Sequence, residues 1–399
     1  MSMDTFQLKL KPGLVGPAAL GAAALGLVSV AIAFVQNKQY AFASYLTAYS
    51  FFLAITLGSF FFCFVSYLSR SSWSVTIRRI SETIAANFWI LFLLFLPLLL
   101  GLNDLFVWFD AKVRATDHLV HAKAAYLNPT FFLIRISFAF AVWIFFGWYF
   151  FKKSTGQDMS KDFLVTNHLG RVGAGAAVLF ALTQTIWALD WIMSLDPHWF
   201  STMFGVYYFA GSVVAQYAVL VLITTWLRKN SGRTDIYRRD HFHDMGKLLF
   251  GHNVFWTYIG FSQFMLIWYA NIPEETLFFK HRAEGSWKVI SLLLPWCHFA
   301  IPFLYLMSWH VKRNIVAIGV GAAWLLVMCY IDIFWLIQPN FHHHGAQFGL
   351  GDIGALLFIG GVLLWAFQWK LGKVNMIPSG DPRLKECLSY TNGVVDERN

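Results

Sequence analysis

The chain has 399 residues, 58% of them hydrophobic and 13% charged, with 18 tryptophans, 41 phenylalanines and a net charge of +9. A soluble domain of this size has no use for so large an apolar share, so the composition excludes a water-soluble enzyme and indicates a polytopic membrane protein. The basic balance alone would admit a nucleic-acid partner, and the placement of the charges decides that question below.

A bilayer core takes about 20 apolar residues to cross as a helix. Stretches of that kind are predicted at 14–35, 43–68, 84–109, 130–151, 172–196, 199–226, 249–271, 287–308, 314–338 and 347–369. Membrane strands would instead alternate over segments of about 10 residues, so the predicted fold class is an all-α integral membrane protein of about ten transmembrane helices. The first stretch has features of a secretion signal, because Lys9 and Lys11 precede an apolar run ending near Ala31 and Ala33. It is expected to be retained as the first span. Outside the spans only the loop from Asp110 to Pro129 and the tail from Lys370 are long enough to matter, so the chemistry is expected in or beside the membrane.

Ten crossings place both termini on one side, together with the loops after the second, fourth, sixth and eighth helices. That side holds most of the 30 lysines and arginines, which predicts that both termini are cytoplasmic. Topology thus accounts for the positive charge, and no nucleic-acid partner is expected. The most basic loop, RKNSGRTDIYRRDHFHDMGK at 228–247, is positioned to meet anionic headgroups.

Ionisable groups at membrane depth cost a few kcal/mol each on insertion scales, so they persist where they pair, face water or act. At 1.5 Å per residue, Asp104, Asp190 and Asp332 fall toward the outer ends of the third, fifth and ninth helices. Arg135 enters from outside on the fourth and reaches the same level. His298 sits nearer the middle of the eighth, between Pro295 and Pro302 in LLPWCHFAIPF, where a kink would free carbonyls and line a cavity. The four charges are predicted to converge on one hydrated pocket in the outer leaflet. Gln184, Trp187, Asp190 and Trp191 share a face of the fifth helix, while Gly170, Gly173, Gly175, Ala176 and Ala177 allow close packing at its other end. Asp190 is equally suited to an ion pair with Arg135. Asp332, in CYIDIFWLI, is costly unless paired or protonated, a property that a proton carrier needs.

Pro197 must end the fifth helix, and His198, Ser201 and Thr202 resemble a cap for the sixth. At the cytoplasmic face Glu82, Asn87, His168, Arg171, Asp244 and His252 lie near helix ends. Most are expected to be solvated, with His168, Arg171 and His252 as candidates for proton uptake. The run His342, His343, His344 suits proton exchange better than a metal, because adjacent imidazoles rarely reach one ion. No metal is expected. Cys63, Cys297, Cys329 and Cys387 form no C-x-x-C pair, so covalent haem and a local iron–sulfur motif are not expected. Only His298 is central, with His252 and His310 near helix ends, so a two-histidine haem b site is not expected either.

The segment D-W-I-M-S-L-x-P-H-W-x-S-T-x-F-G, present as Asp190 to Gly205, resembles the quinone-binding polytopic subunits of bacterial alternative complex III. So do GDPRLKECLSYTN at 380–392 and the ten-helix plan. These subunits belong to the NrfD-like, polysulfide-reductase-type membrane anchors, and the resemblance covers essentially the whole chain. Of the two homologous membrane subunits in such a complex, the chain is more similar to the second, shorter one.

The resemblance implies a bacterial inner-membrane subunit of a respiratory quinol:cytochrome c oxidoreductase, contributing quinone binding, a proton-conducting path, or both. It implies two four-helix bundles, 43–198 and 199–338, flanked by 1–42 with the first helix and 339–369 with the tenth, and a cytoplasmic tail at 370–399. Quinone (menaquinone or ubiquinone) and lipids would be non-covalent ligands. Multihaem cytochrome c and iron–sulfur centres would sit on periplasmic partners, beside the homologous polytopic subunit and small membrane subunits. Asp190 is carried over from the matching segment. Asp104, Arg135, His298 and Asp332 rest on their predicted depth as proton-transfer or quinone-pocket residues. A secondary transporter, suggested by two bundle-like halves, and a structural scaffold remain alternatives.

Overall fold

A computed structural model describes residues 15–343 and 345–391. Lys9, Lys11, His344 and Asn392 lie outside the described residues. The helices are α1 (Val15–Gln36), α2 (Lys38–Leu68), α3 (Val75–Leu99), α4 (Pro129–Ser160) and α5 (Phe163–Leu195). They continue with α6 (Phe204–Ser231), α7 (Arg239–Ala270), α8 (Trp287–Met307), α9 (Ile315–Asn340) and α10 (Leu350–Leu371). Shorter helices, among them Pro273–Arg282, cross the loops.

Among the described residues, nine of these helices are long and apolar enough to cross a membrane. The protein is therefore a multi-pass, all-α membrane protein. The seventh predicted stretch, 249–271, is the exception. It belongs to the longer α7, whose early turns carry Arg239, Asp240, His241, His243, Asp244 and Lys247 and whose later turns carry Asn253 and Gln263. Those polar groups lower its apolar content, yet α7 packs along α6, α8 and α9.

Two groups of four helices form the core. In the first, α2 packs on α3 and α5, and α4 bridges α3 and α5; in the second, α6 packs on α7 and α9, and α8 closes against both. The α2 and α6 helices join the groups, and Gly58 permits their approach, since a Cβ there would lie 2.3 Å from the Ser212 carbonyl oxygen. Flanking the core, α1 and α10 pair through small residues: a Cβ on Gly26 would meet the Phe358 nitrogen at 2.3 Å, and one on Gly361 the Ala19 oxygen at 2.5 Å. The predicted close packing of the fifth helix is selective. A Cβ at Gly170 or Gly173 would stand 3.3 Å from α2 backbone atoms, whereas Gly175 faces open space.

The α5 and α8 helices each contain a wide π-helical turn, Ala188–Ile192 and Leu294–Ala300. Such turns release backbone groups from the regular ladder and recur at functional sites. Pro295 and Pro302 add to the effect in α8, because neither can donate an N–H. The sixth helix begins at Phe204 with no side-chain cap. His198 instead binds Asp117 of the loop between α3 and α4, with Nε2 2.7 Å from Oδ2. The capping role predicted for it is not formed, because the residue before the first helical turn is Met203, two positions after Ser201, and the imidazole finds a carboxylate.

Candidate functional site

The site lies in the second helix group, where four helices deliver polar side chains into an apolar core. Asp332 of α9 is buried at 3% exposure. Its Oδ1 accepts a hydrogen bond from the Tyr207 hydroxyl of α6 at 2.5 Å, and its Oδ2 accepts one from the Trp256 indole of α7 at 3.1 Å. Neither donor carries a charge, so among the described residues a carboxylate here has no counter-ion, and taking up a proton would neutralise it. Trp256 also stacks on His298 of α8, with ring centroids 3.8 Å apart.

His298 is fully buried. Its Nε2 lies 3.8 Å from the Cys329 sulfur, one turn before Asp332 on α9, and its Nδ1 has no partner among the described residues. The π-helical turn explains how the ring is held. The Ile301 N–H bonds back to the Trp296 oxygen, which frees the Cys297 carbonyl to accept from the Trp324 indole at 2.7 Å. Pro302 has no N–H for the His298 carbonyl, which accepts from Asn253 at 3.0 Å instead. Both freed carbonyls are thus satisfied by neighbouring helices, as burial demands. The kink predicted around His298 takes this form.

A void of about 10 Å³ adjoins Asp332, lined also by Tyr208, Gly211, Ser212 and Cys329. That is room for about one water molecule with polar partners on several sides. It does not fit a quinone ring, so the residues around Asp332 suit proton exchange and not ring binding.

The remaining predicted residues lie elsewhere. Asp190, in the π-helical turn of α5, is fully buried and paired with Arg135 of α4 at 2.6 Å. The guanidinium stacks on Tyr126 at 3.8 Å and also donates to the Tyr126 carbonyl. Stacked Trp187 and Trp191 line the same side of α5. Asp104 is partly exposed and paired with Lys38 at 2.8 Å. No hydrogen bond or ion pair among the described residues connects Asp104, Asp190 and Asp332. The predicted convergence of four charges on one pocket is therefore corrected to three separate sites. Equal depth does not fix which neighbour a helix face meets, and each group binds the donor nearest its own face.

The end of the bundle that carries residues 372–391 holds a buried ionic network. Arg78 bonds Glu82 at 2.9 Å and Asp381 of the tail at 2.8 Å, while Arg79 bonds Asp158 at 2.8 Å and contacts Glu82 at 3.1 Å. The Tyr67 hydroxyl also donates to Glu82. Glu82, Asn87 and Asp244, expected to be solvated, are all buried. Two adjacent arginines a turn from Glu82 retain it inside the protein, and the tail covers it. Burial works against the Asp381 carboxylate, but Arg78 and Arg383 outweigh it and hold its pKa below the ordinary value.

The residues proposed for proton uptake are separate from one another. His168 is exposed and bonds the Tyr149 hydroxyl at 2.7 Å, and Arg171 borders an open hollow. His252 uses Nδ1 on the Leu248 carbonyl and packs on Tyr217. His342 gives its carbonyl to Trp287, and His343 lies near the His281 ring.

In comparison with known proteins, no family model matches the chain and no curated protein matches it.

Sequence reading overlooked Tyr207 and Trp256 and weighed Cys329 only as a metal or haem ligand, since no periodicity separates these from other core residues. It also overlooked Asp352, fixed by Tyr40 at 2.5 Å and by the Gly349 N–H at 3.0 Å. Asp352 carried a usable signal, an acidic residue in the first turn of a helix. Arg282 is another omission. It is buried and donates to the Phe278, Trp335 and Leu336 carbonyls, which ties Pro273–Arg282 to the end of α9.

Proposed function

We infer that this chain is a non-autonomous membrane subunit of a respiratory quinol:cytochrome c oxidoreductase and that its own contribution is a proton-exchanging site centred on Asp332. One observation carries the reading: a buried carboxyl group with no cation partner among the described residues, held by two neutral donors from two helices beside a water-sized void. Buried carboxyl groups of this kind mark proton relays in membrane proteins. The segment Asp190–Gly205 supports the redox assignment, and the tight packing around Asp332 favours proton transfer over quinone binding within this chain. Tyr207 is the one relay partner in direct contact, since its hydroxyl both donates and accepts, whereas the Trp256 indole only donates and so orients the carboxyl group.

The partners that follow from this reading are the homologous polytopic subunit, small membrane subunits, and periplasmic multihaem cytochrome c and iron–sulfur subunits in a bacterial inner membrane. The test is to purify the full chain with its bound partners from native membranes and assay quinol-dependent cytochrome c reduction, with proton release followed in sealed vesicles. Co-purifying haem and quinol oxidation are expected. Solute uptake by the chain alone, without redox partners, would overturn the assignment.

A further inference from the structure

A hollow of about 670 Å³ opens at the tail-bearing end of the first helix group, between the end of α2, the start of α5 and the tail. Three arginines border it, Arg70 after α2, Arg171 on α5 and Arg383 in the tail, and no acidic side chain lines it. Arg70 and Arg171 are exposed and neither has a carboxylate partner among the described residues. The Nη2 of Arg383 is buried without an acceptor among the described residues. Tyr67, Thr166 and Asn167 add polar groups to the wall. The concentration of positive charge is built in. Asp381, fixed by Arg78, accepts from the Arg383 backbone N–H at 2.9 Å and pairs with its Nε at 3.4 Å, which positions that arginine and leaves Nη2 without an acceptor among the described residues. Arg70 occupies a left-handed position, φ 50°, just past the end of α2, where glycine would be the inexpensive residue.

The surroundings decide what kind of anion fits. Leu164, Asn167 and Arg171 share a face of α5 at spacings of three and four, and Phe163 and Leu164 are 64% and 69% exposed. Leu68, another wall residue, is also exposed. A cationic hollow edged by bare apolar side chains at the end of membrane helices matches a phosphate on an acyl-bearing molecule. We propose that this hollow binds the phosphate headgroup of an anionic phospholipid, with Arg70 and Arg171 as the principal contacts and Arg383 completing the cradle. The assignment is independent of any redox role for Asp332.

The experiment uses the purified full chain and three probes, phosphatidylglycerol, phosphatidylcholine and inorganic phosphate, with retention read by native mass spectrometry. Phosphatidylglycerol should be retained about tenfold or more above phosphatidylcholine, the scale expected for two or three basic side chains near an anionic headgroup. Raising ionic strength should weaken that preference. The double variant R70Q/R171Q should bring the two lipids to parity, and R70K/R171K should restore part of the difference. Both positions are exposed, so an unchanged helical spectrum and elution volume should accompany the loss; the single variant R171Q serves if the double variant is unstable. An undiminished preference in the glutamine variants overturns the proposal. So does binding of inorganic phosphate with no discrimination between the lipids, which would make the hollow a free-anion site.

Discussion

The Tyr207 hydroxyl, in the first turn of α6, and the Asp332 carboxylate, in the last third of α9, share a 2.5 Å hydrogen bond in the second helix group. Asparagine at 332 keeps this geometry, because its oxygen can face the Trp256 indole while its amide donates to the Tyr207 oxygen. Asp332→Asn should therefore leave the complex assembled while lowering proton-coupled quinol oxidation about a hundredfold or more, within the 10²–10⁴ range typical of a lost acid–base group. Tyr207→Phe should lower it less, since a water in the adjoining void can replace the hydroxyl. Turnover and proton release measured in vesicles check both. Wild-type turnover in Asp332→Asn would reduce the site to a structural hydrogen bond.

Arg135 and Asp190 pose the opposite case, a buried charge with its counter-ion in place. Removing one member leaves the other uncompensated and typically costs 3–5 kcal/mol, whereas replacing both with apolar residues of similar volume is often neutral. Arg135→Ala and Asp190→Leu should each lower the thermal midpoint markedly, and Arg135→Met with Asp190→Leu should recover most of it. If the double replacement also preserves quinol oxidation, the pair serves assembly alone. Thermal unfolding in detergent, followed by an activity assay, separates the outcomes.

Asp104 gives a third expectation. Its partner Lys38 is 59% exposed, and exposed ion pairs contribute about 0–1 kcal/mol. Asp104→Asn should shift neither stability nor turnover beyond that small range. A large loss of activity would return Asp104 to the functional site.

Much of the helical plan was legible because apolar length is a strong signal: each long helix overlaps a predicted stretch, and the disturbance around His298 follows from Pro295 and Pro302. Partner choice was not legible. Asp190 and Asp332, singled out by their apolar neighbours, are both buried, but one depth per residue cannot say that Asp190 turns to Arg135 while Asp332 turns to Tyr207 and Trp256. Those faces depend on how helices rotate against one another. The tail network was hidden for another reason. Glu82 looks solvated near a helix end until Asp381, some 300 residues later, pairs with Arg78, the arginine that also binds Glu82.

The docked tail also carries a pH dependence. His241, in the first turn of α7 ahead of its apolar part, accepts the Arg238 N–H on Nδ1 at 3.2 Å and faces the Cys387 sulfur with Nε2 at 3.5 Å. Burial, helped by Arg238 and opposed by Asp244 and Asp240, pushes its pKa down to about 4. The folded state thus favours the neutral ring. Its stabilising effect is complete above the ordinary histidine pKa of about 6.5 and drains away as pH falls toward 4. Asp381, held below the ordinary carboxylate value, keeps its charge through that window and is lost only at more acid pH. The protection factors of residues 381–391, with exchange at each pH referred to the intrinsic amide rate at that pH, should therefore fall between pH 6.5 and 4. That fall should vanish in His241→Asn, whose side-chain oxygen can take the Arg238 bond without titrating. If the variant follows the wild-type profile, another group governs release of the tail.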